Sequence, residues 1–138
     1  MRDTTTHRRI VISFWEWTNA RGDGALSSYH LEHAQRAKLD ERLDRIQELP
    51  RLDFQSIQGL IYPFRRELKK IKIPGNIALR PIVVRGPGDV EHELTFLLVT
   101  REENRVLLPS SDEVESLARE RLADIEQQPA RRRRYGRS

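Results

Sequence analysis

Residues 64–76, read as Phe64-Arg65-Arg66-Glu67-Leu68-Lys69-Lys70-Ile71-Lys72 and then Ile73-Pro74-Gly75-Asn76, form the stretch that decides the fold. A basic block there leads through a proline-glycine turn into two long apolar runs. Residues 65–85 carry seven lysines and arginines against one glutamate, and residues 131–138 carry five arginines and no acid. Because local cationic patches favour polyanions, we expect RNA or DNA as the partner.

The two apolar runs predict the core of a sheet. Residues 77–85 indicate a strand whose internal Pro81 cannot donate to a ladder, which favours an edge position or a bulge. Residues 86–89 predict a turn, and residues 94–100 are apolar on both faces, as in a central strand. We expect the two strands to form a hairpin, with a short strand at 105–108 after it.

The N-terminal half predicts one strand and helical structure. Residues 10–17 are rich in β-branched and aromatic residues and indicate a first strand. Residues 28–49 repeat apolar residues at three- and four-residue steps before Pro50, which predicts an amphipathic helix. Residues 51–63 are less regular, and we interpret them as a short second helix that ends at Pro63.

The C-terminal part predicts a helix and a tail. Ser110 and Glu113 match a capping box, so residues 111–127 should form a helix that packs on the sheet through Leu117 and Ile125. Residues 131–138 bury too little apolar surface to order themselves, which predicts a mobile basic tail. We therefore expect an α+β domain over residues 1–130, with helices on one face of a small, curved, antiparallel sheet.

Composition excludes several kinds of site. The 138 residues contain no cysteine, so disulfides, thiolate metal sites and thiol nucleophiles are excluded. The sequence has no glycine-rich phosphate loop and no Gly-x-Ser-x-Gly motif, and we interpret His30 and His33 as a surface pair rather than metal ligands. No apolar run approaches the roughly 20 residues of a membrane span, and we expect a soluble, cytoplasmic protein.

Several short segments resemble the RelE/ParE toxin superfamily, in particular its phage-derived HigB-like branch, over roughly residues 8–127. The resemblance rests on the order of elements and on a proline just before the last helix. The matching segments are Glu67-Leu68-Lys69-Lys70-Ile71, Ala78-Leu79-Arg80, Leu94-Thr95-Phe96-Leu97-Leu98, Pro109 and Ala118-Arg119-Glu120-Arg121.

The resemblance implies a RelE-like fold and an mRNA endoribonuclease that cuts message on the ribosome and is silenced by an antitoxin. Lys69 and Lys70 match the basic pair of that pattern, and Arg80 matches its sheet arginine; with Arg101 they are the expected catalytic residues. They would stabilise the phosphate while a ribose 2′-OH attacks it, and no cofactor is needed. The remaining cations and one ring are expected to bind nucleic acid: Arg65, Arg66, Lys72, Arg85, Arg131, Arg132, Arg133, Arg134 and Tyr135.

The chain departs from the pattern after its central strand. Where the HigB-like branch carries a lysine pair, this chain has Val99-Thr100-Arg101-Glu102-Glu103, with one arginine and two acids. Two further hypotheses therefore stay open. The same fold could serve a phage or host interaction protein that binds nucleic acid or an acidic protein without turnover, or a ParE-like toxin that inhibits gyrase.

Overall fold

The computed structural model describes residues 10–136 as an α+β fold, with two α-helices and a mixed seven-stranded sheet that does not close into a barrel. A 3-10 turn, Pro129–Arg131, precedes the last strand. The elements in chain order are β1 (Ser13–Trp17), α1 (His33–Gln47), β2 (Tyr62–Arg65), β3 (Leu68–Lys70), β4 (Ala78–Arg85), β5 (Glu93–Glu103), β6 (Val106–Leu108), α2 (Ser111–Gln127) and β7 (Arg132–Arg134).

The strands lie in the order β2-β3-β4-β5-β1-β7, and β6 pairs with the far end of β5. The first strand runs parallel to β5, with Phe14 opposite Leu94, and the other pairs are antiparallel. The prediction of a purely antiparallel sheet is therefore wrong. After β1 the chain passes through α1 and the antiparallel strands β2 to β6, and it returns to β1 only with β7. Within the sheet, β1 lies beside the central strand β5 and runs parallel to it.

The predicted hairpin of β4 and β5 is confirmed, with Arg80 opposite Thr100 and a register shift between Ile82 and Val83. Pro81 lies inside the sheet rather than at its edge. Its carbonyl accepts from Ile71 N at 3.0 Å and thus points toward the β3 side. The missing N–H would point the same way, so Pro81 cannot return a bond to the Ile71 carbonyl, and the ladder between β3 and β4 has one bond instead of two at this position.

The two helices lie on opposite faces of the sheet. On β4, Val83 belongs to the core that contains α1, whereas Ile82 and Val84 belong to the core that contains α2. Successive side chains of a strand point to opposite faces, so this alternation separates the two helices. The prediction of helices on one face of the sheet is wrong. The side chains of β5 are buried on both faces, so each face needs a helix to cover it.

The helices themselves are largely as predicted. The first lies inside the predicted range 28–49, and the second matches 111–127. Ser110 Oγ accepts from Glu113 N at 3.3 Å, while Ile125 is buried and Leu117 packs against the same core. Residues 51–61 form turns instead of the predicted helix, with Gly59 at φ +81°, and β2 begins at Tyr62.

The C-terminal segment is part of the sheet. The last strand pairs antiparallel with β1, with Arg134 opposite Trp15, and Tyr135 is 6% exposed with its ring centroid 6.1 Å from that of Phe96. The prediction of a mobile tail is therefore wrong for residues 131–136, because partners distant in sequence supply the burial that the segment lacks by itself. Arg137 and Ser138 lie outside the described residues.

Candidate nucleic-acid interface

Side chains from three strands meet at the end of the sheet where β2 and β4 begin and β3 ends. Tyr62 lies directly opposite Lys70. The ladder between β3 and β4 continues to a bridge between Ile73 and Leu79, which puts Lys72 opposite Arg80. By the two-residue period these four side chains share the face that carries α2. We call Tyr62, Lys70, Lys72 and Arg80 the basic face.

Two cations of the basic face are available to a ligand. Lys72 Nζ lies 4.2 Å from the centroid of the Tyr62 ring, a cation–π contact that positions both groups. Neither Lys70 nor Lys72 forms an ion pair with another residue in the part of the chain that the structure describes. Both lysines are half-buried, so a phosphate could displace their water without first breaking a salt bridge.

The Arg80 guanidinium, in contrast to the two lysines, already has partners within the fold. Its guanidinium pairs with Glu102 Oε1 at 3.3 Å and donates to the Leu79 carbonyl at 2.9 Å. The side chain is 12% exposed, and its Nε is buried without a partner in the structure, as is the Thr100 hydroxyl directly opposite. These contacts fix the guanidinium in place beside Lys72, with part of its charge already compensated.

Tyr62 is a residue of the candidate site that the sequence analysis did not identify. Its phenol donates to the Gly59 carbonyl at 3.2 Å, and its ring contacts Lys72 as described above. The predicted helix over residues 51–63 included Tyr62, so the sequence analysis did not place this residue on a strand. The alternation of Tyr62 and Phe64 around Pro63, just before the basic block, would have indicated a strand with both rings on one face.

The expected catalytic residues do not all meet. Lys70 and Arg80 share the α2 face as diagonal neighbours, a relation that corresponds to about 7–8 Å between strands. Lys69, the residue before Lys70, points to the opposite face. Arg101 is paired with Leu79, whose side chain lies in the α1 core, so Arg101 also faces away from Arg80, and its Nε lies 3.9 Å from Glu103.

The other cations of residues 65–85 have different surroundings. Arg65 bonds to Asp112 and Glu115 on α2, at 3.0 and 2.8 Å, and the hydrogen bond to Asp112 is the main cause of its raised pKa. Arg66 occupies the β2–β3 turn at φ 53°. Arg85 donates to the Leu52 carbonyl and lines a cleft of about 190 Å³ with Lys69. Arg65 is therefore a structural link, and Arg85 belongs to the Lys69 side.

The C-terminal arginines are engaged within the fold. Arg132 bonds to Glu93 at 2.9 Å and lies 4.1 Å from the Trp15 ring, while Arg133 Nε lies 3.4 Å from Glu16. Arg131 pairs with Asp124 at 3.7 Å, and Arg134 lies 5.6 Å from the Trp15 ring. Tyr135, the ring that was expected to bind nucleic acid, is buried.

The described residues show no candidate metal cluster and no helix that could span a membrane. Within residues 10–136 no group of three histidines or acids could hold a metal ion. His92 Nδ1 contacts Asp89 Oδ2 at 2.9 Å in the β4–β5 turn, at the other end of the sheet from the basic face. In the same range no helix is long and apolar enough to cross a membrane.

Comparisons with protein-family models, with curated proteins and with solved structures find no match to this chain. The residues of the basic face therefore carry the functional argument by themselves.

Proposed function

We propose that this protein binds single-stranded RNA through the basic face. The observation that carries the proposal is the row of Lys72 and Arg80 beside Lys70 and Tyr62, in which two lysines have no ion pair within the described chain. Cations at this spacing can contact successive phosphates. The aromatic ring between them offers a surface on which an unpaired base can stack.

The size of the basic face favours a single strand over a duplex. It occupies one end of three strands. The C-terminal arginines lie at β7 on the opposite edge of the sheet, where Arg131, Arg132 and Arg133 pair with Asp124, Glu93 and Glu16. Sequence-specific and single-stranded RNA recognition relies on unstacked bases and a few phosphate contacts. A short, half-buried patch with one ring fits that demand.

A second candidate function is cleavage of ribosome-bound message by a RelE-like toxin under the control of an antitoxin in the cytoplasm. One observation favours it: Tyr62, Lys70 and Arg80 are adjacent on one face. In that reaction a ribose 2′-OH attacks the adjacent phosphorus, the bond to the 5′-oxygen breaks, and the 2′-proton leaves while the 5′-oxygen gains one. Lys70 and Arg80 would stabilise the phosphorane charge, and the Tyr62 phenol would handle a proton.

Binding is tested by fluorescence anisotropy with end-labelled single-stranded RNA of mixed sequence, using wild type, Lys70→Ala, Lys72→Ala and the control Arg21→Ala. Arg21 is 85% exposed in the loop after β1 and pairs with Asp23 at 3.4 Å, so its removal changes net charge equally. We expect the two lysine variants to weaken binding at least threefold more than the control. Equal affinity for all four proteins would refute the proposal.

Cleavage is tested separately with purified protein and ribosomes programmed with a defined message. A cut product that disappears in Arg80→Ala would support the nuclease. Intact message, with RNA still bound to the wild type, would leave the binding function alone.

A further inference from the structure

A second cavity lies behind β2, on the face of the sheet opposite the basic face. Its volume is about 230 Å³. The walls are mainly apolar, formed by the turns that precede β2 and by the strand itself, and one lysine belongs to the lining. The residues that form it are Phe54, Ile57, Gln58, Gly59, Ile61, Tyr62, Pro63 and Lys69.

Phe54 is the most informative residue of this cavity, because 72% of it is exposed to solvent. Its turn is held in place by Asp53, whose carboxylate accepts from Ser56 N at 2.7 Å and from Arg51 Nε at 2.6 Å. A large ring at the rim of a cavity and in contact with water lacks the stabilisation that burial would give. A planar ligand that covered the ring would supply that burial.

Lys69 favours a ligand that carries a negative charge. It lies opposite Pro63, it lines the cavity, and it forms no ion pair with any residue of the range 10–136. The neighbouring cleft holds Arg85, whose guanidinium donates to the Leu52 carbonyl, and Glu67. An apolar slot with an exposed ring and one lysine in its lining complements a flat aromatic group that carries a phosphate.

We propose that this cavity, which we call the base pocket, accepts one unstacked nucleobase of the RNA strand. The inference rests on the function proposed above and extends it to a second contact surface. Tyr62 belongs to both surfaces, and β2 is the edge strand of the sheet. The strand would therefore pass over the edge at Tyr62, with phosphates on the basic face and the next base against Phe54. Lys69 would contact the phosphate of that nucleotide.

The test measures the affinity of RNA for Phe54→Ala, with Val106→Ala as its matched control. Val106 is an apolar residue on β6 that is also mostly exposed, at 57%, so neither substitution removes core packing. Loss of one base–aromatic contact should weaken binding on the order of tenfold to a hundredfold in Phe54→Ala, and Val106→Ala should bind like the wild type. Circular dichroism and the unfolding midpoint establish that both variants are folded.

A spectroscopic readout locates the base. RNA with 2-aminopurine, scanned through the oligonucleotide, should show one position whose fluorescence changes on binding to the wild type and not on binding to Phe54→Ala. An abasic nucleotide at that position should reduce the affinity of the wild type to that of the variant.

The experiment distinguishes a failure of the base pocket from a failure of RNA binding by the basic face. If Lys72→Ala weakens binding and Phe54→Ala does not, the base pocket is overturned while RNA binding stands, and the exposed ring is then left to a protein partner. If neither substitution changes the affinity, the proposed function itself falls, and the base pocket falls with it.

Discussion

Arg133 Nε lies 3.4 Å from Oε2 of Glu16, a carboxylate on β1 that is only 1% exposed. The other carboxylate oxygen accepts from Leu26 N at 2.9 Å and from Ser27 N at 2.8 Å. Arg133 is thus the only residue with a formal charge among these donors, and it comes from the C-terminal strand. The pair joins the first and last strands of the chain through a buried charge.

Arg133→Ala should lower the free energy of unfolding by about 1–3 kcal/mol, because it leaves a buried carboxylate with two neutral donors and no counter-charge. Arg134→Ala is the matched control, since its guanidinium lies 5.6 Å from the Trp15 ring and its loss should cost at most about 1 kcal/mol. Urea unfolding of both variants measures the difference. Equal destabilisation would mean that the Glu16 contact does not hold the last strand.

The last strand also shows where sequence reasoning fails. A run of four arginines has no apolar alternation, so no local window indicates a strand. Its order comes from Glu16, Glu93 and Trp15, which lie about 40 to 120 residues earlier in the chain. The same holds for the parallel pairing of β1 with β5, because strand direction in a sheet is set by topology and leaves no mark on composition.

The parts predicted well have local signals. The hairpin of β4 and β5 follows from two β-branched runs around Gly86 and Gly88, and α2 follows from the Ser110 cap and its apolar stripe. For the site, the sequence indicated the basic block and named Lys70, Lys72 and Arg80. The sequence could not show which face of the sheet each lysine occupies. Adjacent Lys69 and Lys70 are assigned to opposite faces only once the block is known to be a strand.

Salt dependence measures how many phosphates the basic face contacts. If Lys70 and Lys72 each neutralise one phosphate of a single strand while Arg80 stays paired with Glu102, their share of the slope of the logarithm of the binding constant against the logarithm of salt concentration should be about −1.4. Lys72→Ala should make that slope shallower by about 0.7. The charge-matched control Arg21→Ala should leave it unchanged, and an unchanged slope in Lys72→Ala would exclude a phosphate contact at this position.

The turn that presents Phe54 should depend on pH. Hydrogen bonds from Arg51 and then from the Ser56 N–H lower the pKa of Asp53 from 3.8 to about 2. A carboxyl whose folded-state pKa is depressed contributes stability above its unfolded-state pKa and loses it as the pH falls through the folded value. The contribution of Asp53 is therefore complete above about pH 4 and lost by about pH 2.

Carboxyl chemical shifts of Asp53 measured by NMR give its pKa directly, and Asp53→Asn supplies the comparison. The wild type should unfold at a higher temperature than the variant at pH 6, and the two midpoints should converge as the pH approaches 2. A constant difference over this range would show that the Asp53 charge does not hold the turn.

Tyr62→Phe separates proton handling from binding. The substitution keeps the ring beside Lys72 and removes only the hydroxyl, which donates to the Gly59 carbonyl. If the phenol transfers a proton during cleavage, turnover on ribosome-bound message should fall on the order of a hundredfold, while RNA affinity changes less than threefold. Tyr62→Ala should lower affinity as well, because it removes the ring.

Equal cleavage by the wild type and Tyr62→Phe would limit Tyr62 to a stacking role. A protein with no cleavage activity but with the affinity pattern intact would be an RNA-binding protein whose basic face makes no transition-state contact.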